Sequence, residues 1–183
     1  MEYIIIISAF IAFLVMWIIS VRRRLVGMDE KINTAMSQLG MQLSSRFDAL
    51  TALLNLTKRY AGQESQSLIE TVKSRRNTIT AASAPEEIFE QESIVSEALC
   101  HISMVAKQYP ELKADENYAR CMSAIDSYEN MVHTSRLIYN DSVTRFNREL
   151  RMFPTSLVAG MFGFHQRDYL EIVEEKTDIP GMR

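Results

Sequence analysis

From Tyr3 to Val21 the chain reads YIIIISAFIAFLVMWIISV, without a single charge. About twenty apolar residues span a hydrocarbon core of roughly 30 Å, so this run predicts a transmembrane helix. Downstream the pattern changes to helical spacing. Ile32, Met36, Leu39, Leu43, Leu50 and Leu53 recur on one face of a helix. The stripe drifts on through Tyr60, Ala61, Leu68 and Val72 toward Ile79, and no Pro falls between Gly27 and Ala84. That predicts a first bundle helix of about 50 residues, roughly 75 Å long at 1.5 Å per residue, with Gly62 as its weakest point. SAPEE at Ser83 to Glu87 predicts a stop and a fresh start: Ser83 caps, Pro85 enters the first turn, and Glu86 and Glu87 suit the positive helix end. The second helix runs to about Lys107, with Ile88, Val95, Leu99, Ile102 and Ala106 inward. A third begins near Asp115 and carries the clearest coiled-coil-like repeat, through Tyr118, Met122, Ile125, Glu129, Val132, Arg136, Tyr139, Val143, Phe146, Leu150 and Phe153, ending at Pro154.

No strand-like alternation interrupts these stripes. The predicted class is all-α: an N-terminal transmembrane helix, then an up-and-down antiparallel bundle of three long helices plus a short C-terminal helix. TSLVAGMFGF, after Pro154, supplies that last helix and is expected to close the end of the bundle, because an open apolar patch of that size is an aggregation liability. Residues 1–24 form the anchor with its basic flank, 28–172 the bundle, and 173–183, with Pro180-Gly181, a flexible tail. The second helix is about half as long as the first, so either the membrane-proximal part of the first helix stands free or another subunit covers it.

The positive charges follow the apolar run, as Arg22, Arg23 and Arg24, and no small-residue cleavage site comes after it. The segment therefore reads as a retained anchor and not as a signal peptide. Tyr3 opens it, and Trp17 near its other end suits the interface. A basic flank stays in the cytoplasm, which places the N-terminus outside and the bundle at the cytoplasmic face of the inner membrane. Removing residues 1–24 is expected to leave a soluble, highly helical domain. Ser8 and Ala12 give a small-xxx-small spacing through which two anchors could pack, so a homo-oligomer is one expected assembly.

Charge narrows the function. The chain carries 20 basic and 23 acidic residues, net −3. Without Glu2 and the three flanking arginines the remainder holds 17 basic and 22 acidic residues, or −5. An acidic domain without a basic stripe is not built for nucleic acid. Cys100 and Cys121 sit in no C-x-x-C or Cys/His metal spacing; they read as core thiols in a reducing compartment, with a disulfide between them as the alternative.

Four charges fall on apolar seams: Glu129 and Arg136 on the third helix, Arg46 and Glu64 on the first. Desolvating an unpaired ion costs several kcal/mol, so these four are expected to form an internal polar network, with Arg46 and Glu64 as partners for Glu129 and Arg136. Drift of about 20° per heptad, turning each toward water, is the alternative. Glu92 on the second helix reads as a plain surface charge. Glu97 and His101, and Glu129 and His133, are spaced at four; with Glu64 they are the material for a metal-dependent bundle enzyme. Di-metal bundles use Glu-x-x-His at three, so exposed ion pairs are expected instead and no metal or cofactor is assigned. His165 has no partner by spacing, and no phosphate loop, H-E-x-x-H or G-x-S-x-G occurs.

YPELKADENY at Tyr109 to Tyr118, SRLIYNDSVTRFN at Ser135 to Asn147 and MFPTSLVAGMFGF at Met152 to Phe164 resemble the LemA family of bacterial proteins, whose pattern runs YPELKA, R-x-x-YN-x-x-V-x-x-YN and FP followed by GF. RFDAL at Arg46 to Leu50, KRYAGQE at Lys58 to Glu64 and Arg75-Arg76 fit more loosely, with departures at Ser45, Thr51, Ala52 and Gln63. The resemblance covers about residues 1–172. It implies a single-pass membrane protein with a helical cytoplasmic domain and no established catalytic residues. Relatives associated with magnetosome membranes, and a familiar neighbourhood with membrane metalloproteases, imply other membrane proteins, a membrane protease among them, as partners. The departures weaken any function resting on that part of the first helix. The expected role is therefore a membrane-anchored scaffold or adaptor acting by protein–protein interaction, and not an enzyme.

Overall fold

The computed structural model describes residues 1–170, without the side chains of Gln63 and Glu64. Glu64 as a network member and the 173–183 tail thus lie outside the described residues. All five elements are helices: α1 (Glu2–Arg75), α2 (Pro85–Gln108), α3 (Pro110–Ala114), α4 (Glu116–Arg151) and α5 (Thr155–Met161). The all-α class and the apolar N-terminal helix stand as the sequence predicts.

The first helix departs from expectation at both ends. It runs unbroken from the apolar segment through Gly27, and it breaks at Gly62, where φ is 58° and ψ −123°. Only glycine enters that conformation without a Cβ clash. The chain then doubles back. Arg76, 14 residues past the glycine, donates to the Asp48 carboxylate, 14 residues before it, at 2.7 Å, and to the Ser44 hydroxyl at 2.6 Å. A drifting stripe is consistent with one long helix, but a stripe in a helical hairpin looks the same, and the single glycine decides between them. Gly62→Ala should cost about 1–3 kcal/mol through backbone strain alone, because no atom lies within 4 Å of the added Cβ. The mid-helix change Gly27→Ala, equally free of neighbours, should instead stabilise by about 0.5–1 kcal/mol. Urea unfolding of a fragment beginning at Arg22 separates the two.

Past Arg75 the backbone is extended along α1. It passes so close at Gly40 that a Cβ there would stand 2.5 Å from the Ile79 carbonyl oxygen. Ala84, and not Ser83, caps α2: its N–H donates to Glu87 Oε1 at 3.0 Å, while the Ser83 hydroxyl accepts from the Thr80 N–H and tightens the preceding turn. From there α2 climbs beside the ascending arm of α1 until the Tyr109 ring meets that of Tyr60, centroids 6.1 Å apart. α3 crosses the far end, where Leu112 closes a small cluster with Leu56, Val105 and Ala106. Asp115 then caps α4 by accepting from the Asn117 N–H at 2.8 Å, at the start the sequence predicts for this helix. α4 descends antiparallel to α1 along its whole length, with Glu129 opposite Arg46 and Glu149 opposite Arg24.

One continuous core joins α1, α2, α4 and α5, from Leu25 at the base of α1 through Phe47, Leu50 and Leu53, with Ile88 and Ile102 of α2, Val143 and Phe146 of α4 and Ala159 of α5. Among the described residues nothing buries Tyr3 to Met16, which is exposed throughout, whereas Val21 touches the core and Leu25 is fully buried. Cys100 is exposed and Cys121 half-buried, both as free thiols, so neither is the core residue expected. Burial and the Asp115 carboxylate push the Cys121 thiol up, which keeps it protonated and slow to react.

Candidate functional site

Three amide side chains, two buried and one partly buried, organise the bundle, each holding a stretch of non-helical backbone. Extended chain laid on a helix leaves N–H and C=O groups that no helix ladder satisfies, so polar side chains must supply the partners. On α2, fully buried Gln91 donates to the Arg75 carbonyl at 3.0 Å and accepts from the Asn77 N–H at 2.9 Å, fixing the point where α1 gives way to extended chain. On α4, Asn147 donates to the Arg167 carbonyl at 2.8 Å and accepts from the Arg167 N–H at 2.9 Å. Asn140 repeats the arrangement on Leu170, at 2.7 and 2.9 Å.

The spacing explains why two asparagines suffice. Seven residues of helix rise about 10.5 Å, and three residues of extended chain cover about 10 Å. Asn140 and Asn147 therefore meet Leu170 and Arg167 in step, as a neighbouring strand would. Between them the Tyr139 hydroxyl donates to the Asp168 carbonyl at 3.1 Å; burial holds this phenol above its usual pKa, so it stays a donor. Arg167 reaches Asp29 on α1 at 2.8 Å, and Leu170 seals into the core. The segment of residues 163–170 thus lies against the lower part of α1 and α4. It answers the mismatch in helix lengths in a way the sequence reading did not foresee: neither a free helix nor a second subunit, but the chain's own C-terminal strap covers the base.

A groove of about 530 Å³ runs between the strap and the Ala82–Pro85 turn, with Tyr139 and Phe146 in its wall. Asp29 is engaged by Arg167 and Tyr139 by a backbone carbonyl, so these three side chains of the groove are committed to holding the strap.

The seam charges pair differently from expectation. Arg46 donates to Glu129 at 2.8 Å, as foreseen, but Glu129 is exposed and not part of the interior: it stands at the rim while the long arginine reaches out to it. Arg136 is buried, and its partner is Glu92 of α2, with the guanidinium also over the Phe89 ring at 5.7 Å. Glu92 is therefore no surface charge. Among the described residues Arg46, Glu129 and Arg136 do not share one network, because the two arginines lie on separate helices and each is met by its own carboxylate. Neither helical Glu/His pair forms an ion pair, since Glu97 goes to Arg75 at 3.6 Å and Glu129 to Arg46. Among the described residues no three His, Cys, Asp or Glu side chains converge as a metal site would require.

A model of the LemA family matches residues 35–182. The chain belongs to the LemA family. It is also similar to two curated proteins of Paramagnetospirillum magneticum, magnetosome proteins MamQ 1 and MamQ 2, each 23% identical over 171 residues that span 80% of this chain. The chain spans 63% of the length of those relatives. The LemA match starts within the bundle, after the apolar segment, so family membership rests on the helical domain. Seen in the structure, the YN and FN pairs at Tyr139-Asn140 and Phe146-Asn147 have a physical purpose: each aromatic enters the core and each asparagine beside it grips the strap. Sequence reasoning placed the aromatics and passed over the amides. The available signal was an amide repeated after seven residues, each time next to a seam aromatic.

Proposed function

We propose that this LemA-family protein is a membrane-anchored helical scaffold or adaptor, acting by protein–protein interaction at the cytoplasmic face of the inner membrane. The observation that carries this reading is the abrupt change in burial along one helix: everything from Tyr3 to Met16 is bare, and from Leu25 onward one face is core. A bare apolar helix of membrane-spanning length, rigidly continuous with a closed bundle, positions that bundle at a bilayer surface. Arg22, Arg23 and Arg24 at the junction keep the bundle in the cytoplasm with the N-terminus outside. Two of the carboxylates weighed for metal chemistry, Glu97 and Glu129, are tied into separate ion pairs with arginines, which favours binding over catalysis. Its partners are other membrane proteins, a membrane protease being one class, or further copies of the chain.

Protease added to intact spheroplasts should spare everything beyond Val21, and gentle detergent extraction should co-purify a membrane protein at fixed stoichiometry. Digestion of the bundle from outside, or a purified chain that carries stoichiometric iron, manganese or zinc and no partner, would reverse the assignment.

A further inference from the structure

We propose that the C-terminal end of the bundle, built on α5, is a second membrane contact whose exposed apolar face enters the headgroup boundary of an anionic bilayer beside the anchor. This rests on the anchor spanning that bilayer, as proposed above. α5 was expected to close the bundle, and half of it does: Val158 and Ala159 are buried. The other half faces outward. Leu157 and Met161, one turn apart, are exposed, and Met152, Phe153 and Phe162 extend the same apolar surface, Phe153 being 80% exposed. Phe153 was predicted on the α4 seam, but α4 stops at Arg151 and the chain turns the ring out.

Two contacts fix the depth of this surface. The Arg22 guanidinium lies 5.3 Å from the centroid of the Phe162 ring, and Arg24 donates to Glu149 at 2.7 Å. Arg22 is the first charge after the apolar run. Because α4 descends antiparallel to α1, Arg151, just beyond Glu149, comes level with Arg22, and Met152 and Phe153 follow it at that end of the bundle. The apolar face therefore sits where the anchor leaves its hydrocarbon stretch, at the height at which aromatic and long apolar side chains partition into a membrane interface.

Charge selects the lipid. Arg22, Arg23, Arg148 and Arg151 are exposed around the patch, and Glu149, the acid between the last two, is occupied by Arg24. Apolar side chains ringed by arginine match acyl chains beneath anionic headgroups. The rest of the domain is acidic and stands off the same surface, so the bundle is held end-on by anchor and α5 together.

The single tryptophan makes the test direct. The full chain is reconstituted in vesicles of phosphatidylcholine and phosphatidylglycerol containing lipids brominated near the headgroup, and tryptophan emission is read. In the parent, Trp17 reports the anchor. In a Trp17→Phe background, Leu157→Trp and, as a second site should the first disturb folding, Met161→Trp report α5. Ile138→Trp, on the exposed side of α4, is the control. Quenching of the parent and both α5 variants, with the control unquenched, is the expected result, and Arg148→Glu with Arg151→Glu should diminish quenching at α5 alone. Quenching in the parent with both α5 variants unquenched overturns the lipid contact and leaves the anchor standing. An unquenched parent overturns the anchor and this inference together. Emission from the α5 variants that shifts to the blue with protein density, without quenching, assigns the face to a second copy and overturns the lipid assignment.

Discussion

Glu92→Ala should destabilise the bundle by about 3–5 kcal/mol, the cost of leaving a buried charge without its partner. The Arg136 side chain is 8% exposed and that of Glu92 22%, so neither end of the pair is fully hydrated. Arg136 has little to fall back on: its Nε is buried without a hydrogen-bond partner among the described residues, and the Phe89 ring offers only a cation–π contact. Glu129→Ala provides the comparison. Arg46 is as buried as Arg136, at 7%, and its Nε is likewise without a partner, but Glu129 is 59% exposed, so the pair stands at the rim and water can take the place of the lost carboxylate. That change should cost about 1–2 kcal/mol. Replacing both members of the inner pair by apolar residues, Glu92→Leu with Arg136→Met, should recover most of the loss, since the desolvation of two ions disappears with them. Thermal unfolding of the fragment beginning at Arg22 reads all three. Domains of this size shift by roughly 2–4 °C per kcal/mol, so Glu92→Ala should fall by about 10 °C and Glu129→Ala by only a few. Equal midpoints for the two single variants would show that burial does not set the strength of these pairs.

Asn147→Asp should release the strap. The amide nitrogen that donates to the Arg167 carbonyl becomes an oxygen, so a hydrogen bond turns into a repulsion between two acceptors at a buried position. Losing that bond and burying the new charge should cost about 2–4 kcal/mol, enough to free the strap before the helices unfold. Asn140→Asp should act the same way but more weakly, because Asn140 is only partly buried. Hydrogen exchange is the measurement: the Arg167 and Leu170 amides, which the two asparagines accept, should lose protection while amides of α4 beside Val132 keep theirs. Undiminished protection at Arg167 in Asn147→Asp would mean that Leu170 and the Arg167–Asp29 pair hold the strap without the clamp.

The helices were legible because they obey a one-dimensional rule. Ile32 to Leu53 on α1, Ile88 to Ala106 on α2 and Ile125 to Leu150 on α4 carry their apolar stripes at the spacing of a helix, and apart from Leu99 and Glu129 the structure buries the seam residues named within those spans. The apolar run of Tyr3 to Val21 and the acidic start at Asp115 are equally local. So is the family, through short segments such as YPELKADENY. Which helix lies beside which is not local. Arg46 found Glu129 as expected, but Arg136 found Glu92, a residue that periodicity along α2 marks as surface and that only the approach of α4 makes interior. Gly62 carries in the sequence only a lowered helix propensity; that the chain reverses there depends on the returning arm having the face of α1 to pack against. The strap shows the same limit most clearly. Residues 163–170 have no periodicity because extended chain bonded to asparagine amides needs none. Their partners lie twenty to thirty residues earlier on another element, so helix periodicity determined the parts of this protein, while hydrogen bonds and charges between distant residues decided how they close.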